Sequence, residues 1–225
     1  LLSGLCGYHA FMHRRTYVDE LASLPIEERA RRMRDPEIKK RILTDADIMP
    51  AQAGAMEMLS AGFLMGAGAF YVMPDDYDYE PTADMALGAI AERENRDVVE
   101  VMYDYLTAND GKWFLSLMGT NYAGGNLDVV GEMLRHPETI TGLADGGAHV
   151  NLICDGTMPT TQLKHWGYSR TRGDKIPVEM LVEKQTRRNA RLYGLRDRGT
   201  LEVGMRADIN VIEPENLAVM RPVSH

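Results

Sequence analysis

Cysteine is scarce: only Cys6 and Cys154 occur in 225 residues, and no motif spacing links them. Both read as packed thiols of a reduced, cytoplasmic protein rather than as a bridge. Long hydrophobic runs are missing, so no stretch is long and uninterrupted enough to span a membrane. There is no excess of positive charge either. A formal net charge of −8 argues against a nucleic-acid-binding role for the chain as a whole. It leaves room for an anionic small substrate, because local arginines can dominate a pocket. The first residue is Leu1, so the lack of a visible leader carries no weight. The remaining composition is that of a soluble globular chain, long enough for one large domain or two small ones.

The densest chemistry lies in Gly142-Leu143-Ala144-Asp145-Gly146-Gly147-Ala148-His149. Thr139 to Leu143 reads as a short buried strand that delivers Asp145, with His149 four residues on. Polar groups at the C-terminal mouth of a strand are where β/α barrels keep their catalytic residues. A carboxylate there suits proton transfer, and the His suits an anionic or oxyanionic substrate group. A strand-to-loop turn with a surface His accounts for the same residues equally well.

Elsewhere the pattern alternates helix and strand. Leu24 to Leu43 is helical, opened by Pro25 and broken at Asp35-Pro36. Gln52 to Met73 is rich in Ala, Gly and Met. A helix to about Ser60 and a strand at Phe70 to Met73 are expected, with Met56, Met58 and Met65 packing in a core. The carboxylates between Pro74 and Pro81 lack the glycine and terminal Glu of a calcium loop and read as a solvated turn. Asp97 can cap a helix from Val98 to Ala108. Trp113 to Met118 is an apolar run of strand length that fits a parallel strand covered on both faces. A helix from Leu127 to Arg135 and one from Pro177 to Leu192, closed by Gly194, follow. Ala207 to Ile212 is strand-like, with Asp208 as a buried structural carboxylate. His9 and His13 fit one helical face, but no third ligand accompanies them locally, so they read as loop histidines.

Three runs carry a family likeness: Leu143 to His149, Leu163-Lys164-His165-Trp166-Gly167 with Arg170-Thr171-Arg172-Gly173, and Gly194 to Ile209. Their order resembles the amidohydrolase superfamily, and within it the N-acyl-D-amino-acid deacylase (D-aminoacylase) group. The resemblance implies an α/β chain. It would be the C-terminal part of a β/α (TIM-type) barrel with an inserted helical segment, leading into a small β domain. Residues 1–14 would be a barrel strand end and loop, 15–80 the inserted helical segment, 81–195 the last β/α units, and 196–225 the start of the β domain.

The resemblance also implies one or two zinc ions, held by an H-x-H, a middle-strand Cys, Glu or Lys, and two later histidines. This sequence has no H-x-H. It is therefore expected to be an internal piece of a longer protein, inactive alone, with its remaining metal ligands upstream. Asp145 is the one catalytic group carried over, and also a weak or bridging metal ligand. His149, Asn121 and Tyr122 are the implied substrate contacts. Arg170 or Arg172 is the candidate clamp for a substrate carboxylate, an arginine fork being its natural partner. The arginine that some deacylases place soon after the aspartate is replaced here by Gly156.

The implied reaction is metal-dependent hydrolysis of N-acyl-D-amino acids to a carboxylic acid and a D-amino acid. A cyclic-amide hydrolase of dihydroorotase or hydantoinase type stays open, as does a non-catalytic barrel serving as a binding or assembly subunit. The expected partner is a small N-acyl amino acid, with no nucleic acid and no membrane. A homo-oligomer is compatible with the sequence.

Overall fold

The computed structural model describes residues 3–49, 51–75, 78–142 and 155–219. The chain is mixed α/β, and its described residues divide into two compact units, Ser3–Gly119 and 120–219.

In the first unit, β1 (Ser3–Cys6) runs into a short 3-10 turn and a π-helical turn at Tyr17–Leu21. Helix α1 (Ile26–Met33) buries Ala30 and Met33. Glu27 and Glu28 lie in its first turn and Arg31 and Arg32 in its last, matching the helix dipole. Asp35 ends this stretch and begins α2 (Pro36–Thr44). Its carboxylate accepts from the amides of Glu37 and Ile38, and Pro36 takes the first helical position, where no amide is needed. Helix α3 (Ala55–Met65) and strand β2 (Phe70–Val72) follow. Then come α4 (Leu87–Glu94), α5 (Val98–Thr107) and β3 (Leu115–Met118). Asp97 caps α5 by accepting from Val99 and Glu100.

The sheet has the order β1-β3-β2, and both pairings are antiparallel. Leu115 is opposite Cys6 on one side and Val72 on the other. The parallel expectation for Trp113 to Met118 is thus corrected. A continuous apolar run reports a strand that needs cover, and a central strand needs it whichever way its neighbours run. Phe11, Tyr103, Met33, Ile42 and Leu106 fill the core beside the helices. The Phe11 and Tyr103 rings meet edge-on at 4.9 Å. Two further expectations fail here. Met58 and Met65 are exposed, because α3 turns Phe63 and Leu64 inward instead. Glu80 is buried rather than solvated.

The second unit holds α6 (Asp128–Arg135) and a short α7 (Met158–Thr161) that runs into a π-helix at Gln162–Ser169. A longer helical rod follows: α8 (Val178–Glu183), a π-helical stretch Lys184–Arg188, and α9 (Asn189–Leu192). Gly194, at φ 70°, closes the rod, and Leu195 N–H returns to the Ala190 carbonyl at 2.8 Å. Trp166 packs on α6 where Gly131 leaves room: a Cβ there would lie 3.0 Å from the indole ring.

Residues 139–142 join no sheet, contrary to the expected strand. The carbonyls of Thr139 and Thr141 are taken by side chains of the rod instead. Residues 207–212 also join none, and Asp208 is an exposed partner of Arg206 at 2.9 Å, not a buried group. Ile209 and Val211 stay at the surface because no described strand covers them. No helix among the described residues is long and apolar enough to cross a membrane.

Candidate active site

The candidate site belongs to the second unit. Asp145 and His149, the central pair of the sequence reading, lie outside the described residues, as does Cys154. What the structure shows is the framework on either side of them in the chain.

Asn121 adopts φ 64°, a left-handed conformation that Asn tolerates, and is exposed. The turn it makes sends Tyr122 inward, where the ring is buried. The Tyr122 hydroxyl accepts from Arg172 Nη1 at 3.2 Å, and Arg172 Nη2 donates to the Gly125 carbonyl at 3.0 Å. Three of the sequence-derived contacts, Asn121, Tyr122 and Arg172, are therefore brought into one strapped loop.

Arg170 does something different. It is buried, with its guanidinium 4.6 Å from the Trp166 ring centroid. Nη2 donates to Asp128 Oδ1 at 2.6 Å, and Nη1 donates to the Asp174 carbonyl at 3.3 Å. A guanidinium committed in this way ties the start of α6 to the 170–174 turn. Arg172 is likewise hydrogen-bonded, to Tyr122 and Gly125, but it lies at the surface and is the more accessible of the two.

Lys184 was not singled out by sequence. It is fully buried in the rod, and Nζ donates to Thr139 O at 2.8 Å, Thr139 Oγ1 at 2.9 Å and His136 O at 3.4 Å. All three ammonium donors are used, none on a carboxylate. Burial lowers its pKa from the ordinary lysine range, and nearby Arg188 lowers it further, while Glu183 opposes the shift. The end of α6 helps to hold the charge, because the C-terminal carbonyls of a helix favour a cation. One signal was available: Lys184 follows Leu181 by three positions and so continues the buried stripe.

His9, in the first unit, is half-buried near Phe63, and burial pushes its pKa down. Among the described residues no three His, Cys, Asp or Glu side chains converge on one point as a metal site. The described residues therefore do not by themselves fit the zinc expected from the resemblance.

No curated protein and no solved structure matches the chain. The model of the amidohydrolase family matches residues 7–225, nearly the entire length and across both units. That span takes in the Asp145 and His149 run, the Trp166 and Arg170 turn, and the rod that carries Lys184. The chain belongs to the amidohydrolase family, whose members are hydrolases.

Proposed function

We propose that this chain carries the acid–base end of an enzyme that hydrolyses the amide bond of N-acyl-D-amino acids. The observation that supports it is the family match across residues 7–225, read with the Asp145-Gly146-Gly147-Ala148-His149 run inside it. In this reading Asp145 takes a proton from the attacking water. The water oxygen adds to the amide carbonyl, the C–N bond breaks, and Asp145 returns the proton to the leaving nitrogen. His149 donates to the oxyanion as it develops. Arg172, Asn121 and Tyr122 line the substrate loop, with Arg172 facing the free carboxylate of the N-acyl amino acid.

The experiment is a substrate comparison on the intact protein. Release of product is followed from N-acetyl-D-methionine, N-acetyl-L-methionine and a hydantoin, each with and without a chelator. Preferential hydrolysis of the D-enantiomer supports the reading. Hydrolysis of the hydantoin alone moves the assignment to a cyclic-amide hydrolase, and turnover of none of the three moves it to a binding or assembly barrel. The chelator arm reports whether the intact protein depends on a metal.

A further inference from the structure

The segment between α6 and the Asp145 run is held on one side by side chains rather than by a strand. Arg188 Nη1 donates to the Pro137 carbonyl at 3.1 Å, Lys184 Nζ to the Thr139 carbonyl at 2.8 Å, and Asn189 Nδ2 to the Thr141 carbonyl at 2.8 Å. Pro137 lies in the turn that closes from Thr139 N–H to the His136 carbonyl, and beyond it the carbonyls of Thr139 and Thr141 are spaced by two. In an extended chain, carbonyls at that spacing face the same edge. A neighbouring strand would normally satisfy that edge, and here one face of a helix does.

The rod is built for this. In an α-helix, positions i and i+5 lie roughly 140° apart, at about 100° per residue. Lys184 and Asn189 have that spacing, yet both reach the same segment. They do so because Lys184–Arg188 is π-helical, and i→i+5 geometry brings such positions onto one face. The contact is reciprocal: Thr141 Oγ1 donates back to the Lys184 carbonyl at 3.4 Å. Thr139 Oγ1, which accepts from Lys184, donates in turn to the Met133 carbonyl near the end of α6. Lys184 is thus the centre of a network that fixes the chain from α6 to Thr141, four residues before Asp145.

We propose that Lys184 is a positioning residue for the reaction, fixing residues 136–141, the chain that precedes Asp145 in sequence, with Asn189 as its second anchor. The inference rests on the reading of Asp145 as the general base. Asp145 follows Thr141 by four residues in sequence, and a misplacement of about 1 Å at a reacting group can cost 100-fold in rate.

The test uses the intact protein and two variants, Lys184→Met and Asn189→Leu. Lys184→Met keeps the length of the stem and removes every donor. Amide hydrogen exchange is compared for a peptide covering 137–150 and for a control peptide in α5, alongside kcat and KM for N-acetyl-D-methionine. In Lys184→Met, exchange in the 137–150 peptide rises at least about tenfold at the Thr139 amide, which donates to the same His136 carbonyl that Lys184 binds, while α5 is unchanged. In the same variant kcat falls by about 10- to 100-fold with KM little changed. Asn189→Leu gives the same pattern with a smaller amplitude, and decides the matter if Lys184→Met does not fold. Unchanged exchange in 137–150 overturns the proposal, and so does faster exchange with wild-type kcat. If the wild-type protein turns over no substrate, the functional reading fails, and the exchange arm alone still decides whether Lys184 fixes residues 136–141.

Discussion

Arg170 Nη2 donates to Asp128 Oδ1 at 2.6 Å while the same guanidinium lies over the Trp166 ring. The arginine side chain is 2 % exposed and the aspartate 60 %. The pair therefore joins a buried cation to a surface anion, and stacking on Trp166 helps to compensate for burying the charge. Lysine cannot reproduce this arrangement, because it lacks the planar fork and the stack. Arg170→Lys is expected to lower stability by roughly 1–3 kcal/mol. A lower melting temperature checks this directly. A variant with wild-type stability and a raised KM would instead make Arg170 a ligand clamp.

Alkaline pH acts on the first unit with a predictable sign. Burial pushes the Cys6 thiol above its ordinary value of 9.0, and pushes Tyr103, Tyr8 and Tyr17 above 10.0. Arg29 partly opposes the shift at Tyr8 and Tyr17. The folded state keeps these protons after the unfolded state has lost them. Stability is therefore full below about pH 9 and falls as pH rises through the unfolded values. Cys6→Ala is expected to delay the onset of that fall until the tyrosines take over. Urea midpoints measured across this range check it.

Tyr103 adds a second, pH-independent effect. Its hydroxyl donates to the Met33 carbonyl at 2.6 Å, both residues being fully buried. Tyr103→Phe keeps the ring against Phe11 and removes the donor. The expected loss is about 1–3 kcal/mol at neutral pH, the cost of leaving a buried acceptor unpaired. Equilibrium denaturation measures it.

Gly111 is required by its backbone. It has φ 71°, and a Cβ placed there would lie 2.8 Å from Ala30 Cβ and 3.0 Å from the Tyr8 ring. Gly111→Ala combines a left-handed strain with a clash in the core. A loss of roughly 1–3 kcal/mol is expected, seen as a lower urea midpoint with an unchanged slope.

These residues also show how far the sequence could be read. The cap at Asp97 was legible, because a carboxylate directly before a helical pattern can accept from the amides of the first turn, whereas Asp35 read only as a break and its capping role came from the structure. Strand direction was not, since the apolar run ending at Met118 encodes cover and not the polarity of its neighbours. The fate of 139–142 was hidden for a related reason. A sequence shows that a stretch can be extended, but not that Lys184 and Asn189, more than forty positions on, will satisfy its carbonyls. The arginine pair was legible as a pair only. Which member is buried depends on Gly131 opening space for Trp166, and so on a contact between distant segments.

Asp145 is proposed above as the proton-transfer group of an N-acyl-D-amino-acid deacylase. The most direct test is kcat of Asp145→Asn against wild type on N-acetyl-D-methionine, with folding verified by circular dichroism. If Asp145 moves the proton, kcat falls by about 10²- to 10⁴-fold while KM changes little. A folded Asp145→Asn protein with wild-type kcat would contradict it.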